Sequence, residues 1–113
     1  EGQMEGGAYM GLGQGLMEEV VLRAGVTETE NLETYLLPTA LDTPDVETEI
    51  LESGSGLGPF GAKGIGEPAL TPAATAIALA VADALGEPVR ELPITPERVL
   101  ATLAARSAAG SGP

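Results

Sequence analysis

Glycine placement constrains this chain more than any other feature. Of 16 glycines in 113 residues, six stand within residues 2–15 and six more within residues 54–66. A glycine in a helix interior costs roughly 1 kcal/mol relative to alanine. A helix so loaded needs a reason, and the ordinary one is close approach of another backbone or a ligand. Helical spacing is nevertheless present: Met4, Ala8, Leu12, Leu16 and Val20 recur every fourth residue, which suits one apolar helical face. The spacing predicts a glycine-rich helix near residues 3–19.

Aromatic residues make up only 3% of the chain and tryptophan is absent. Any core must come from Ala, Leu, Val and Ile, with little volume per side chain. Part of the packing is therefore expected from a partner. Hydrophobic content of 43% still argues against disorder by composition. With no cysteine and no histidine, the chain offers no disulfide, zinc site, iron–sulfur ligation, cysteine nucleophile or histidine base. The expected set of metal-ligating side chains is none. Five cations against 17 anions give a net charge of −12, which argues against nucleic acid as a partner. The length allows one domain. The start, Glu1-Gly2-Gln3-Met4-Glu5, is acidic where a secretion signal is basic, and the missing initiator methionine suggests a chain cut from something longer. The most apolar run, Ala73–Leu85, is 13 residues against the about 20 of a membrane span. The expectation is a soluble, cytoplasmic protein with no membrane partner.

Further along, Glu18–Leu22 shifts toward strand character and Ala24-Gly25 reads as a turn. Residues 28–52 hold eight acids, with no cation between Arg23 and Lys63, and read as a solvated face. Within them, Val46–Glu52 nearly alternates apolar and acidic residues, the pattern of a half-buried strand. Tyr35-Leu36-Leu37 precedes Pro38 and is expected to be extended. Residues 53–68 form a long glycine-dense loop. A helix is expected over 71–85, with Thr71 as N-cap, Pro72 in the first turn and Gly86 as the stop. A last helix, near 96–106, starts after Thr95, and residues 107–113 read as a flexible tail. The fold class is α+β: a glycine-rich N-terminal helix, short antiparallel strands, a glycine-rich loop and two C-terminal helices.

Lys63 is the only lysine. It stands in the densest glycine loop, four residues before Glu67. Glycine-rich backbone can turn several N–H groups into one concavity that suits anionic oxygens, and a nearby carboxylate can act as a general base. The phosphate-loop pattern fails, because Ala62 precedes Lys63 and Gly64 follows it. Gly11-Leu12-Gly13-Gln14-Gly15 lacks the glycine spacing of a dinucleotide fingerprint. Residue chemistry alone leaves Gly61–Glu67 evenly placed between a functional loop and a surface loop with a helix-capping acid.

The segment Gly58-Pro59-Phe60-Gly61-Ala62-Lys63-Gly64-Ile65-Gly66-Glu67-Pro68, followed by an alanine-rich helix, resembles the C-terminal part of the molybdenum-binding subunit of the molybdenum hydroxylases. These are the xanthine dehydrogenase, aldehyde oxidase and carbon monoxide dehydrogenase family. The stretches Gly2–Gly7, Gly11–Gly13, Glu18-Glu19, Tyr35–Asp42 and Leu92–Leu100 resemble the same family, in order, from about residue 1 to 105. The resemblance implies that residues 1–106 are the C-terminal portion of a molybdopterin-binding domain. It implies oxidative hydroxylation of an aldehyde or an N-heterocycle such as a purine, with water as the oxygen source. Glu67, after Gly-x-Gly, takes the position of the catalytic base. Gln3, Lys63, Gly64, Ile65 and Gly66 take positions that touch the molybdopterin. It further implies a cofactor shared with the rest of the subunit, Fe–S clusters and FAD on other segments or subunits, a small-molecule substrate, and inactivity of the chain alone. The alternative is a non-catalytic assembly module that docks on a larger subunit. A disordered acidic linker is disfavoured by the two well-capped helices.

Overall fold

The computed structural model describes residues 1–52, 54 and 56–110. Its elements in chain order are helix α1 (Gly2–Leu16), strands β1 (Leu22–Arg23) and β2 (Val26–Thr27), a 3-10 turn at Pro59–Gly61, helix α2 (Ala73–Leu85) and helix α3 (Pro96–Gly110). This is an α+β arrangement, as expected. The strands pair antiparallel, Leu22 with Thr27 and Arg23 with Val26. Ala24 and Gly25, both at positive φ (51° and 82°), make the turn between them, the geometry that two-residue hairpins favour.

The buried face of α1 is made of glycine. Gly7, Gly11, Gly13 and Gly15 are buried, whereas Met4, Ala8, Leu12 and Leu16 are only half-buried. The apolar i+4 stripe is thus not the main contact, and the glycines are. A Cβ on Gly7 would come within 2.6 Å of the Ala69 Cβ, and one on Gly11 would collide with the Ala73 Cβ. One on Gly15 would touch Ile77 at 3.5 Å. The partners are spaced as the glycines are, so a constant offset of 62 residues relates the two rows. Helix α2 and the turn before it therefore run parallel to α1, with backbone nearly touching backbone.

Helix ends follow from local chemistry, with one correction. Thr71 does not cap α2. Residue Pro72 takes the N-cap position with helical φ/ψ, and the Thr71 hydroxyl instead donates to the Glu67 carbonyl at 3.1 Å. The turn before the helix absorbs the hydroxyl. At the other end Gly86 is left-handed, φ 68°, and Glu87 N–H reaches back to the Ala82 carbonyl at 3.2 Å, a Schellman closure. Thr95 does cap α3, its hydroxyl accepting from Arg98 N–H at 3.4 Å. Helix α3 continues to Gly110, four residues past its expected end. Tail residues 111–113 lie outside the described residues.

Helix α3 is latched to α1 rather than packed on it. Ile94 N–H donates to the Gly15 carbonyl at 2.6 Å. Arg98 donates to the Pro93 carbonyl at 2.6 Å and to the Glu19 carboxylate at 2.7 Å. The acidic segment is tethered by two phenols. Tyr35 donates to Glu18 at 2.7 Å and Tyr9 donates to the Pro44 carbonyl at 3.1 Å. All eight acids of residues 28–52 are exposed, as a solvated face requires. The strand expected over Val46–Glu52 is not formed: these residues have no regular secondary structure, because no described segment offers them a ladder.

Little of the chain is inside. Ile94, 5% exposed, and its neighbour Pro93 are the buried apolar side chains among the described residues. The accessible surface is 8584 Å², where a folded monomer of this mass exposes roughly 5,800 Å². The radius of gyration is 18.3 Å, against about 13 Å for a compact domain of this length. An apolar groove of about 800 Å³ remains open between the ends of α1 and α2 and the start of α3, lined by Leu16, Met17, Val81, Val99 and Leu100 among others. Among the described residues no helix is long and apolar enough to cross a membrane.

Two outcomes are expected. Gly11→Ala should destabilise the protein by about 1–3 kcal/mol through overpacking. Gly6→Ala, where nothing lies within 4 Å of the new methyl, should stabilise it by about 0.5–1 kcal/mol. Urea unfolding of both variants checks this, and Ala73→Gly should recover part of the Gly11→Ala loss. The second concerns Asp42. Its carboxylate accepts from the Thr39 hydroxyl at 2.7 Å and the Thr39 amide at 2.8 Å; these bonds, the hydroxyl first, hold its carboxyl below the ordinary value. A depressed carboxylate stabilises the turn above its ordinary titration range and ceases to as pH falls through the folded value. The Thr39 amide resonance should titrate with Asp42 on acidification, and Asp42→Asn should abolish that titration.

Candidate functional site

The pairing of α1 with α2 gathers the candidate residues at one end. Gln3 is one helical turn upstream of Gly7, and Glu67 is two residues upstream of Ala69, which packs on Gly7. Both therefore lie at the N-terminal end of the helix pair, away from the apolar groove at Leu16 and Val81. The parallel arrangement also directs two helix N-termini the same way, which favours anionic groups.

Glu67 is held by its backbone, and among the described residues its carboxylate makes no hydrogen bond or ion pair. Its carbonyl accepts from Leu70 N–H at 3.0 Å, from Thr71 N–H at 3.1 Å and from the Thr71 hydroxyl at 3.1 Å. The turn over 67–71 follows and carries Ala69 into the glycine groove of α1. The residue is exposed, so its carboxylate faces open space.

The loop before it is half-folded. Gly61 N–H donates to the Gly58 carbonyl at 2.9 Å and Ala62 N–H to the Pro59 carbonyl at 3.1 Å. Gly56 and Gly58 lie so close to the backbone of Gly61 and Ala62 that neither could carry a Cβ unchanged. Phe60, at φ 55°, points its ring fully into solvent. Lys63, Gly64, Ile65 and Gly66 follow, all exposed. Nothing lies within 4 Å of where a Cβ would stand on Gly64 or Gly66. No protein acceptor takes the N–H groups of Gly64, Ile65 and Gly66 among the described residues. Three free amides on bare backbone beside a carboxylate suit a ligand rich in phosphate and carbonyl oxygens, which is the chemistry of a pterin with a phosphate tail.

Gln3 is exposed on the first turn of α1. It makes no hydrogen bond to residues 63–67 among the described residues, so the structure gathers these residues at one end without joining them. Among the described residues, no group of three or more acidic, histidine or cysteine side chains could hold a metal ion. The register between Gly7, Gly11, Gly15 and Ala69, Ala73, Ile77 escaped the sequence reading. The i+4 repeat of glycines on α1, matched by Ala69 and Ala73 at the same spacing, is its visible signal.

Residues 1–44 match a family described as a molybdopterin cofactor-binding domain. The xanthine dehydrogenase molybdenum-binding subunit of Escherichia coli O157:H7 is 40% identical over 101 residues, which cover 88% of this chain and 13% of the relative. Quinoline 2-oxidoreductase of Pseudomonas putida 86 superposes with a TM-score of 0.80 at 40% identity, over 91% of this chain and 14% of that one. This chain is a relative of the molybdenum-binding subunits of molybdenum hydroxylases. The Cu,Mo-CO dehydrogenase also superposes at a TM-score of 0.80, with 25% identity over 94% of this chain and 14% of that one. The chain thus spans about one-eighth of the length of the curated relatives it matches.

Proposed function

We propose that residues 1–106 are the C-terminal portion of the molybdopterin-binding domain of a molybdenum hydroxylase, and that Glu67 is its catalytic base. The observation that carries this is the pairing of an open amide run, Gly64–Gly66, with a carboxylate whose backbone is fixed by three hydrogen bonds. The reaction converts a substrate C–H to C–OH, takes the oxygen from water, and releases two electrons and two protons. Bound molybdenum-molybdopterin would supply the two-electron acceptor. Glu67 would take the proton from the attacking oxygen, and its fixed backbone would set where that proton goes. The amides of Gly64, Ile65 and Gly66 would donate to cofactor oxygens, with Lys63 adding positive charge. Gln3 would reach the pterin from the first turn of α1.

The relatives named for xanthine and quinoline support an N-heterocycle as substrate, with aldehydes as the other class. Seven-eighths of the relatives' length lies outside the matched region, so the remaining pocket walls belong to the rest of the subunit and the chain alone should be inactive. Fe–S and flavin segments or subunits would carry the electrons onward, in a cytoplasmic complex.

The decisive test is Glu67→Gln in the whole assembly. Hydroxylation should fall by about 10²–10⁴-fold, the usual contribution of a general base, while molybdenum content stays near that of the parent. Unchanged turnover would overturn the assignment. Gln3→Ala and Gly64→Val should instead lower cofactor occupancy while shifting stability by less than about 0.5 kcal/mol, as exposed positions do.

A further inference from the structure

We infer that Asp45–Leu51 is a docking strand, which completes a β-sheet carried by the rest of the subunit and pairs there with a strand whose solvent face is basic. The inference takes its partner from the reading above but does not depend on the role of Glu67.

The segment has two faces. Val46, Thr48 and Ile50 share one, and Asp45, Glu47 and Glu49 share the other with Leu51 at its end, since side chains alternate along an extended chain. The burial follows these faces over the first part of the segment: Val46 and Thr48 are half-buried while Asp45, Glu47 and Glu49 are exposed, and Ile50, farther from the Tyr9 anchor, is exposed too. β-Branched residues on the inner face are what a strand selects. Yet Val46–Leu51 makes no hydrogen bond within the described chain. Six consecutive N–H and C=O groups on a strand-like sequence are an open template for pairing. The template has a fixed starting point, because Tyr9 on α1 holds the Pro44 carbonyl. Pro44 stands just before the strand, where its missing N–H removes no ladder bond.

Among the described residues nothing satisfies this template: strands β1 and β2 are two residues each, too short to pair with six. A second copy is a poor partner too. Antiparallel self-pairing centred on Thr48 sets Glu47 against Glu49, and like charges facing each other destabilise a sheet. Two copies also bring together net charges of −12 each. Charge complementarity therefore selects a strand with Lys or Arg opposite Glu47 and Glu49. The matched relatives are about eight times the length covered here, which leaves ample chain to provide one.

The test is hydrogen exchange on the full-length subunit, followed for the amides of residues 46–51. We expect exchange slowed at least about 100-fold against an unstructured peptide, as for amides in a stable sheet. Free-peptide rates would overturn the inference. A Glu47→Lys/Glu49→Lys double variant should reduce that protection, most strongly at low salt, and Glu47→Gln/Glu49→Gln should fall between. Undiminished protection in the lysine variant would overturn the basic face. Equal protection in the isolated chain, appearing with its dimerisation, would replace the partner by a second copy and overturn the proposal. Molybdenum content and turnover are measured on the same samples. Unprotected amides in an active, loaded enzyme sink the strand and leave the functional reading intact. Protected amides in a subunit that takes up no cofactor sink the functional reading and leave the strand.

Discussion

The close approach of α1 to the backbone of residues 69–77 is the contact on which the rest depends. The three glycines at this contact, Gly7, Gly11 and Gly15, forgo helix propensity of roughly 1 kcal/mol apiece. What offsets that cost is dispersion between two backbones, small per atom pair and large in sum. Because Gly7, Gly11 and Gly15 meet Ala69, Ala73 and Ile77 at one constant offset, the contact fixes direction and register as well as distance. Register then determines where the loop at 63–67 is delivered. The same helix provides the Gly15 carbonyl that anchors Ile94 and, just beyond its end, the Glu18 and Glu19 carboxylates that anchor Tyr35 and Arg98.

Much of this was legible in the sequence, but unevenly. The helices at 2–16 and 73–85 announce themselves by spacing and by Gly86, and the Ala24-Gly25 turn by composition. The reason for the N-terminal glycines was also legible in kind, as close backbone approach. Which face of α1 is inside was not. Hydropathy points to Met4, Ala8, Leu12 and Leu16, because a hydropathy pattern weighs side chains and cannot see a contact made by their absence. The cap of α2 misled for a related reason: Thr71 and Pro72 fit a helix start, but the Glu67 carbonyl competes for the threonine hydroxyl. The candidate site residues could be named from the resemblance alone. Their common end of the helix pair needed the register.

The exposed surface bears on how such a chain functions. Leu41, Leu51, Leu57 and Phe60 are more than four-fifths exposed, an arrangement that water disfavours by roughly 25 cal/mol per Å² of apolar area. A composition with one phenylalanine and no tryptophan cannot enclose these side chains by itself. Small residues instead permit close helix packing on several sides at once. The groove between α1, α2 and α3 and the unpaired segment at 45–51 are two forms of the same condition: structure that is specified locally and left open among the described residues.

If Glu67 is the base proposed above, that condition explains a division of labour around it. A general base acts through geometry, so its backbone must not drift. The chain supplies this through three hydrogen bonds to one carbonyl and through Ala69 seated two residues later in the glycine groove. It supplies no walls. Exclusion of water strengthens electrostatic interactions at a reacting centre, and here the loop from Lys63 to Glu67 is open on its outer side. On the proposed reading, the positioning element and the enclosing element belong to different parts of the subunit. A single Cβ in the wrong place on α1 would then act on catalysis without touching cofactor or substrate, by moving the register that aims Glu67.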